Sequence, residues 1–256
     1  MDNAIVTEQD WLAARAALLT REKHMTRLRD EIAAERRRLP WLRVTKPYVF
    51  DAPEGPVTLA ELFAGRSQLI VKHFMLPPGG PPCVGCSFEV DHVEGALVHL
   101  QHHDVSYVAV ARAPLADIEA YRQRMGWRFR WVSSHGSDFN YDFHVSFTPA
   151  QLAAGTALYN FRTGVLPMED LSGHSVFHRD DNGEIFLTYA VFARGAEELL
   201  STYMFLDMTP KGRNETGPHG NLTDWVRPHD RYDEGGTVNL LGQYQAPDGD
   251  CCAGKA

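Results

Sequence analysis

Residues 67–86 read SQLIVKHFMLPPGGPPCVGC, and this stretch decides the fold. Its first nine residues are a nearly unbroken apolar run rich in β-formers, the pattern of a strand buried on both faces. A Pro/Gly loop follows, then Cys83 and Cys86 with two residues between them. A helical pattern runs from about Ser87 to His102, and VSYVAVA (105–111) reads as the next strand. Strand, cysteine loop, helix and strand make a crossover unit, which implies parallel neighbours.

Working outward, Pro114 suits the first turn of another helix and Gly126 its C-terminal end. RFRWVSS (128–134) reads as a strand. GHSVFHRDDNGEIFLTYAVF (173–192) holds two strands around Asp181-Asn182-Gly183, a hairpin signal. GAEELLSTYMFLDM (195–208) closes as a helix. The order is β-α-β, then β-β-α. A cysteine pair between the first central strand and its helix is where a thioredoxin-like fold carries its redox site. The expected fold is α/β and thioredoxin-like, with a mixed central sheet.

Upstream, YVFDAPEGPVTLAELF (48–63) reads as a short strand-like segment with a turn at Pro53 to Pro56. Residues 7–39 read as one long helix, with Thr7 as N-cap and Pro40 as its stop. Trp11, Leu18, Met25, Ile32 and Leu39 recur every seven residues. So narrow a stripe predicts a helix that lies across its own domain or pairs with a second chain. Gly, Pro, Asn and charge dominate from Thr209. The expected organisation is a helical arm (1–40), a thioredoxin-like domain (41–208) and an irregular C-terminal extension (209–256).

Composition narrows the function. The 256 residues are 44% apolar and 23% charged, ordinary for a soluble globular chain. A net charge of −8 argues against a nucleic-acid or anionic-membrane partner. The first residues form no signal peptide, and no apolar run approaches the roughly 20 residues of a membrane span. The expected compartment is the cytoplasm, where close cysteine pairs are catalytic or metal-binding more often than structural.

A thiolate at a helix N-terminus is stabilised, and its pKa falls from ~8.5 toward ~7 or below. Cys86, Val90, Val93, Leu97 and Leu100 share one helical stripe that must face the sheet. Cys86 is therefore the expected buried, resolving thiol, and Cys83, in the loop, the nucleophile. A four-cysteine zinc site would need a second pair, and the remaining cysteines, Cys251 and Cys252, are adjacent in the tail. They read as a spare resolving pair or as an accident of the terminus.

His92, His99 and His103 share a stripe half a turn from Cys86 and read as a solvated face. His73, on the buried strand, either tunes Cys83 or satisfies a core hydrogen bond. DFNYDFH (138–144) alternates strictly, as a metal or substrate wall would, and a half-buried edge segment explains the same pattern. WVRPHDRY (225–232) has the chemistry to cover a cleft.

Long blocks carry a resemblance over nearly the whole chain: WLAARAALLTREK, QLIVKHFM, CVGCSFEVDH, ARAPLADIEAYRQRMGWRF, WVSSHGSDFNYDFHVSFT, FARG, DMTPKGRNETG and DWVRPHDRY. The sequence resembles the bacterial thioredoxin-like family catalogued as domain of unknown function 899, whose members look like dithiol–disulfide oxidoreductases. It departs from thioredoxins in one respect: Gly173 and His174 stand where those proteins place a cis-proline. In this it resembles Sco-type copper chaperones, which carry a histidine before the same hairpin. Two expectations follow. The first is a cofactor-free oxidoreductase acting on a disulfide or oxidised-thiol substrate, recycled by an unidentified reductant, with homo-oligomerisation through the long helix a further expectation. The alternative is a copper- or zinc-binding protein using Cys83, Cys86 and His174 as ligands.

Overall fold

The computed structural model describes residues 3–247, so Cys251 and Cys252 lie outside the described residues. The first unit, through Trp41, is dominated by helix α1 (Glu8–Arg36). Thr7 caps it as expected, accepting the Asp10 N–H at 3.2 Å. No α1 residue is buried, and Trp11, Leu18, Met25 and Ile32 of the seven-residue stripe are all exposed.

The second unit begins with β1 (Leu42–Val44) and the hairpin β2 (Val49–Ala52) and β3 (Gly55–Thr58), capped by α2 (Leu59–Leu62). Then come β4 (Gln68–His73), α3 (Val84–Val90), α4 (Glu94–His102), β5 (Val105–Ala111), α5 (Leu115–Arg124) and β6 (Arg130–Ser133). Short helices α6 (Phe139–Asp142) and α7 (Pro149–Ala154) and the small hairpin β7 (Ala157–Tyr159) and β8 (Arg162–Gly164) lead to β9 (Gly173–Arg179) and β10 (Ile185–Phe192). A 3-10 turn and α8 (Ser201–Leu206) precede a mostly irregular segment that ends in β11 (Thr237–Val238) and β12 (Tyr244–Gln245).

Eight strands form one sheet in the order β1-β10-β9-β4-β5-β6-β2-β3. β4, β5 and β6 run parallel, joined by the α3/α4 and α5 crossovers, while β9 returns antiparallel beside β4 and β10 beside β9. This β-α-β followed by an antiparallel hairpin and a helix is the thioredoxin-like arrangement, with β6, β1 and the β2–β3 hairpin widening the sheet.

The period of two along β4 sorts its side chains between two cores. Leu69 and Val71, both 0% exposed, join Phe50, Val108, Val110, Phe139 and Phe177 on one face. On the other face Phe74 packs with Cys86, Val90, Ile118, Trp127 and Trp131. Full burial of one such aliphatic side chain contributes roughly 1.5–3 kcal/mol. Lys72 shares the second face with Cys86, and this placement builds the site.

Three local expectations are corrected. The single helix over 87–102 is two, because bonds from His92 to Glu89 and from Val93 to Val90 tighten the backbone between α3 and α4. His92 therefore leaves the His99/His103 stripe and pairs instead with Thr202 at 2.7 Å. Residues 138–144 curl into α6 rather than extend, because Phe139 packs edge-on to both Tyr48 and Phe50 and also against Phe143. The segment WVRPHDRY docks on the crossover helices: Trp225 packs on Phe88, Arg124 clamps Asp230, and His229 meets Asp91 at 2.7 Å. Among the described residues no helix is long and apolar enough to cross a membrane.

Candidate active site

The site grows from the end of β4. Phe74 N–H donates to Val110 O at 2.8 Å, which keeps the chain in the sheet for one more residue. The loop then turns on itself, with Gly80 N–H to Pro77 O at 3.1 Å, and Cys83 N–H returns to Met75 O at 3.0 Å. Cys83 thus sits at the N-cap of α3, and its Sγ accepts the Cys86 N–H at 3.3 Å. Ser87 Oγ donates to Cys83 O and meets Tyr121 OH, each at 2.8 Å, so the first turn is pinned from inside. Cys83 is half-buried, whereas Cys86 is 1% exposed. Both are free thiols.

The two sulfurs titrate as one system. Burial opposes ionisation of Cys86. The hydrogen bond from the Cys83 thiol and the Lys72 ammonium outweigh it, and Cys86 falls to about 6. The same hydrogen bond, then burial and the Cys86 charge, push Cys83 well above the ordinary thiol range. The pair therefore gives up its first proton easily and holds its second tightly. The sequence placed the lowered thiol at Cys83; the cation that lowers it lies inward, on the Cys86 side.

That cation is held by a buried polar cluster. Lys72, 0% exposed, donates from Nζ to Glu89 Oε2 and to Ser172 Oγ, each at 2.5 Å. Burial favours the neutral amine. The charges of Glu89 and Cys86 override it, and the Lys72 pKa is raised. His174 faces Lys72 across the β4–β9 register. Its Nε2 lies 3.1 Å from Glu89 Oε1 but off the direction a hydrogen bond needs, so both atoms lack a hydrogen-bond partner among the described residues. Burial and Lys72 hold His174 well below the usual histidine range, so it is a neutral neighbour.

Above Cys83 lies a cavity of about 210 Å³ lined by Met75, Pro77, Pro81, Met168, Leu241 and Gln243, with Glu169 and Asp170 at one side. Asp170 is fixed there by Arg112, which donates Nε and Nη2 to its two oxygens at 2.7 and 3.0 Å. The C-terminal segment forms the other wall. Cys83 makes an antiparallel bridge with Gln243, and Val84 N–H donates to Gly242 O at 2.8 Å. Leu222, Trp225, Val226, Val238 and Tyr244 pack with Val84 and Phe88 of α3.

The structure thus brings Cys83 and Cys86 together at the head of α3, where the sequence placed them. It does not assemble the soft-metal set: His174 is turned to Glu89, and among the described residues no three His, Cys, Asp or Glu side chains are grouped to hold an ion. His73 points to the opposite face, stacked on Phe143 and bonded to Ser175 Oγ at 2.8 Å, so it fills a core role. Lys72, Glu89 and Gly242–Gln243 escaped the sequence reading. A lysine inside the apolar run 67–75 was the available signal for the first.

Fold and site define a thioredoxin-like protein with paired cysteines at a helix start. The chain belongs to the family described as bacterial protein of unknown function (DUF899), whose model matches residues 1–232. A search of curated proteins returns no match. Among solved structures, the chain is similar to peroxidoxin BcpB from Mycobacterium tuberculosis, with 15% identity, 64% of this chain and 96% of that one covered, and a TM-score of 0.42. It is also similar to a peroxiredoxin Q of Xanthomonas campestris, with 14% identity, coverage of 60% and 86%, and a TM-score of 0.43. A third is a secreted Mycobacterium tuberculosis disulfide oxidoreductase, with 13% identity, coverage of 60% and 92%, and a TM-score of 0.33.

Proposed function

We propose that the protein is a thiol–disulfide oxidoreductase in which Cys83 is the nucleophile and Cys86 the resolving thiol. The observation that carries this reading is the geometry of the pair: Cys83 caps α3 with the Cys86 N–H directed at its sulfur, Cys86 is buried on the Lys72 side, and a cavity opens on Cys83. Substrate reaches Cys83, because Cys86 is 1% exposed. Passing the shared proton to Cys86 leaves Cys83 as thiolate, with the Cys86 N–H directed at its sulfur.

The thiolate attacks one sulfur of a substrate disulfide in line with the S–S bond; that bond breaks and the distal sulfur leaves as thiolate. Cys86 then passes its proton to the released substrate thiolate, with Lys72 stabilising the charge left on sulfur, and attacks Cys83 Sγ. The Cys83–Cys86 disulfide forms and the second substrate thiolate departs. Two electrons pass to the substrate, and an external thiol reductant restores the pair. The chemistry needs no cofactor and suits the cytoplasm, where thiols are kept reduced. The cavity wall favours a substrate with an apolar group beside its disulfide.

The test is trapping. Cys86→Ser should accumulate a mixed disulfide on Cys83 when mixed with a small disulfide such as oxidised glutathione, while Cys83→Ser should accumulate none. Failure of native protein to close a Cys83–Cys86 disulfide under mild oxidation would end this reading.

A further inference from the structure

The cavity over Cys83 carries a charge as well as an apolar wall. Met75, Pro77, Pro81, Met168 and Leu241 supply the wall, and Glu169 and Asp170 stand at one side. Among the described residues no lysine or arginine lines it. Building on the oxidoreductase reading, we propose that the substrate is a low-molecular-weight disulfide with a protonated amine near its sulfurs, and that Glu169 binds that amine.

Glu169 is held by its backbone and left open at its side chain. Phe147 N–H donates to Glu169 O and Leu171 N–H to Val145 O, each at 2.8 Å, with a bridge between Ser146 and Asp170. Arg112 spends its donors on other partners: Nε and Nη2 on Asp170 at 2.7 and 3.0 Å, and Nη1 on Tyr141 OH at 2.6 Å. Glu169 Oε2 stays 3.5 Å from Arg112 Nη2, beyond good hydrogen-bond length. Arg112 and Asp170 therefore cancel. One carboxylate charge remains at the cavity, on a Glu169 side chain that is 55% exposed. It attracts a cationic disulfide and repels an anionic one.

Size and access narrow the class further. The cavity measures about 210 Å³, and an apolar cavity of roughly 150 Å³ takes up one benzene molecule. That is room for one half of a small disulfide and not for a polypeptide segment. An extended peptide would also need a free backbone edge beside Cys83. Gln243 already bridges Cys83 there, and Gly242 O already accepts the Val84 N–H.

The reaction balances. The Cys83 thiolate attacks one substrate sulfur, the S–S bond breaks and an aminothiolate leaves. The nearby ammonium lowers the pKa of that leaving thiol, which speeds its departure. Cys86 passes its proton to the released sulfur and attacks Cys83 Sγ, and the second aminothiolate departs and takes a proton from water. Two electrons move from the cysteine pair to the substrate, which becomes two aminothiols. An external thiol reductant restores the pair.

Three disulfides of similar length test the charge: cystamine is cationic, hydroxyethyl disulfide neutral and dithiodipropionate anionic. Closure of the Cys83–Cys86 disulfide in native protein is timed with each at about 0.15 M salt, where exposed charges beyond ~8 Å are screened. Each rate is divided by that of the same disulfide with mercaptoethanol. The normalised rates should favour cystamine over dithiodipropionate by about tenfold. Glu169→Gln should bring the two within about twofold, and Glu169→Lys should reverse their order. Asp181→Asn removes the same charge from the exposed β9–β10 turn, at the other end of β9 from the Gly173–His73 pair, and should keep the native preference. Equal normalised rates in native protein, or equal losses in Glu169→Gln and Asp181→Asn, overturn the proposal and leave the oxidoreductase reading standing. Closure with none of the three disulfides overturns both.

Discussion

Lys72, on the strand entering the cysteine loop, donates its ammonium to Glu89, on the helix leaving it, with Lys72 itself 0% exposed. The pair spans the two elements that hold the cysteines and places a positive charge under Cys86. Lys72→Met should therefore do two things. Glu89, left buried without its cation, should cost about 3–5 kcal/mol in urea unfolding. The first thiol pKa should also rise, slowing alkylation at neutral pH. Lys72→Met/Glu89→Leu should recover much of the stability, since a buried pair replaced by apolar groups is often neutral. It should not recover the fast thiol. Normal alkylation in the double variant would show that Lys72 does not set the thiol pKa.

The shared proton has a pH signature. Cys86 is lowered from 9.0 to about 6, so between those values the unfolded chain binds more protons than the native one. Stability of the reduced protein should rise with pH across that window and fall away as pH drops through about 6. Cys83 is shifted the other way, so above 9.0 the sign reverses and stability should decline. Urea midpoints against pH for reduced native protein and for Cys86→Ala test this. A slope between pH 6 and 9 that is equal in both would assign it to other groups.

Much of this fold was legible because its signals are local. The apolar run into 67–75, the Asp181-Asn182-Gly183 hairpin and the capped first helix each follow from a handful of neighbouring residues. The cysteine site was legible for the same reason: two residues at a fixed spacing behind a strand. Lys72–Glu89 was not, because it depends on which face of β4 meets α3, a long-range fact. The alternation in 138–144 misled because Phe139 and Phe143 serve one core from a helical turn. The docking of 237–245 beside Cys83 was hidden for want of any periodic pattern: a bridge, a backbone hydrogen bond and the packing of Val238 and Tyr244 on α3 hold it, and none of these follows a sequence period.

His73 offers an acid-side test on the opposite face of the sheet. Burial, the neighbouring His174 and Lys72 lower it from 6.5 to about 3. The unfolded chain therefore takes up a proton below pH 6.5 that the native protein refuses until about 3. Stability should fall as pH drops through that window and level off below it. In His73→Gln, which keeps a partner for Ser175, the fall should be shallower while the alkylation rate of the cysteines stays near native. A large change in that rate would restore His73 to the site, from which its stacking on Phe143 removes it.

Gly242 decides how tightly the C-terminal segment closes over the nucleophile. Its φ of +75° is a region that side chains with a Cβ avoid, and an added Cβ would stand 3.4 Å from Cys83 Sγ. Gly242→Val introduces both strain and contact, so the segment should lift. Val84 N–H would then lose its 2.8 Å bond to Gly242 O, and the Cys83–Gln243 bridge would open. The stability cost should be modest, roughly 1–2 kcal/mol for a β-carbon in the left-handed region, because Val226 and Val238 remain as anchors in their own core. Alkylation of Cys83 should accelerate several-fold, since the wall beside the sulfur has moved. Hydrogen exchange should locate the change, with Val84 N–H losing protection while Phe74 N–H, bonded to Val110 in the sheet, keeps it. Slower alkylation with Val84 still protected would mean that valine is accommodated in place and blocks the sulfur, so that residues 241–243 are a fixed wall.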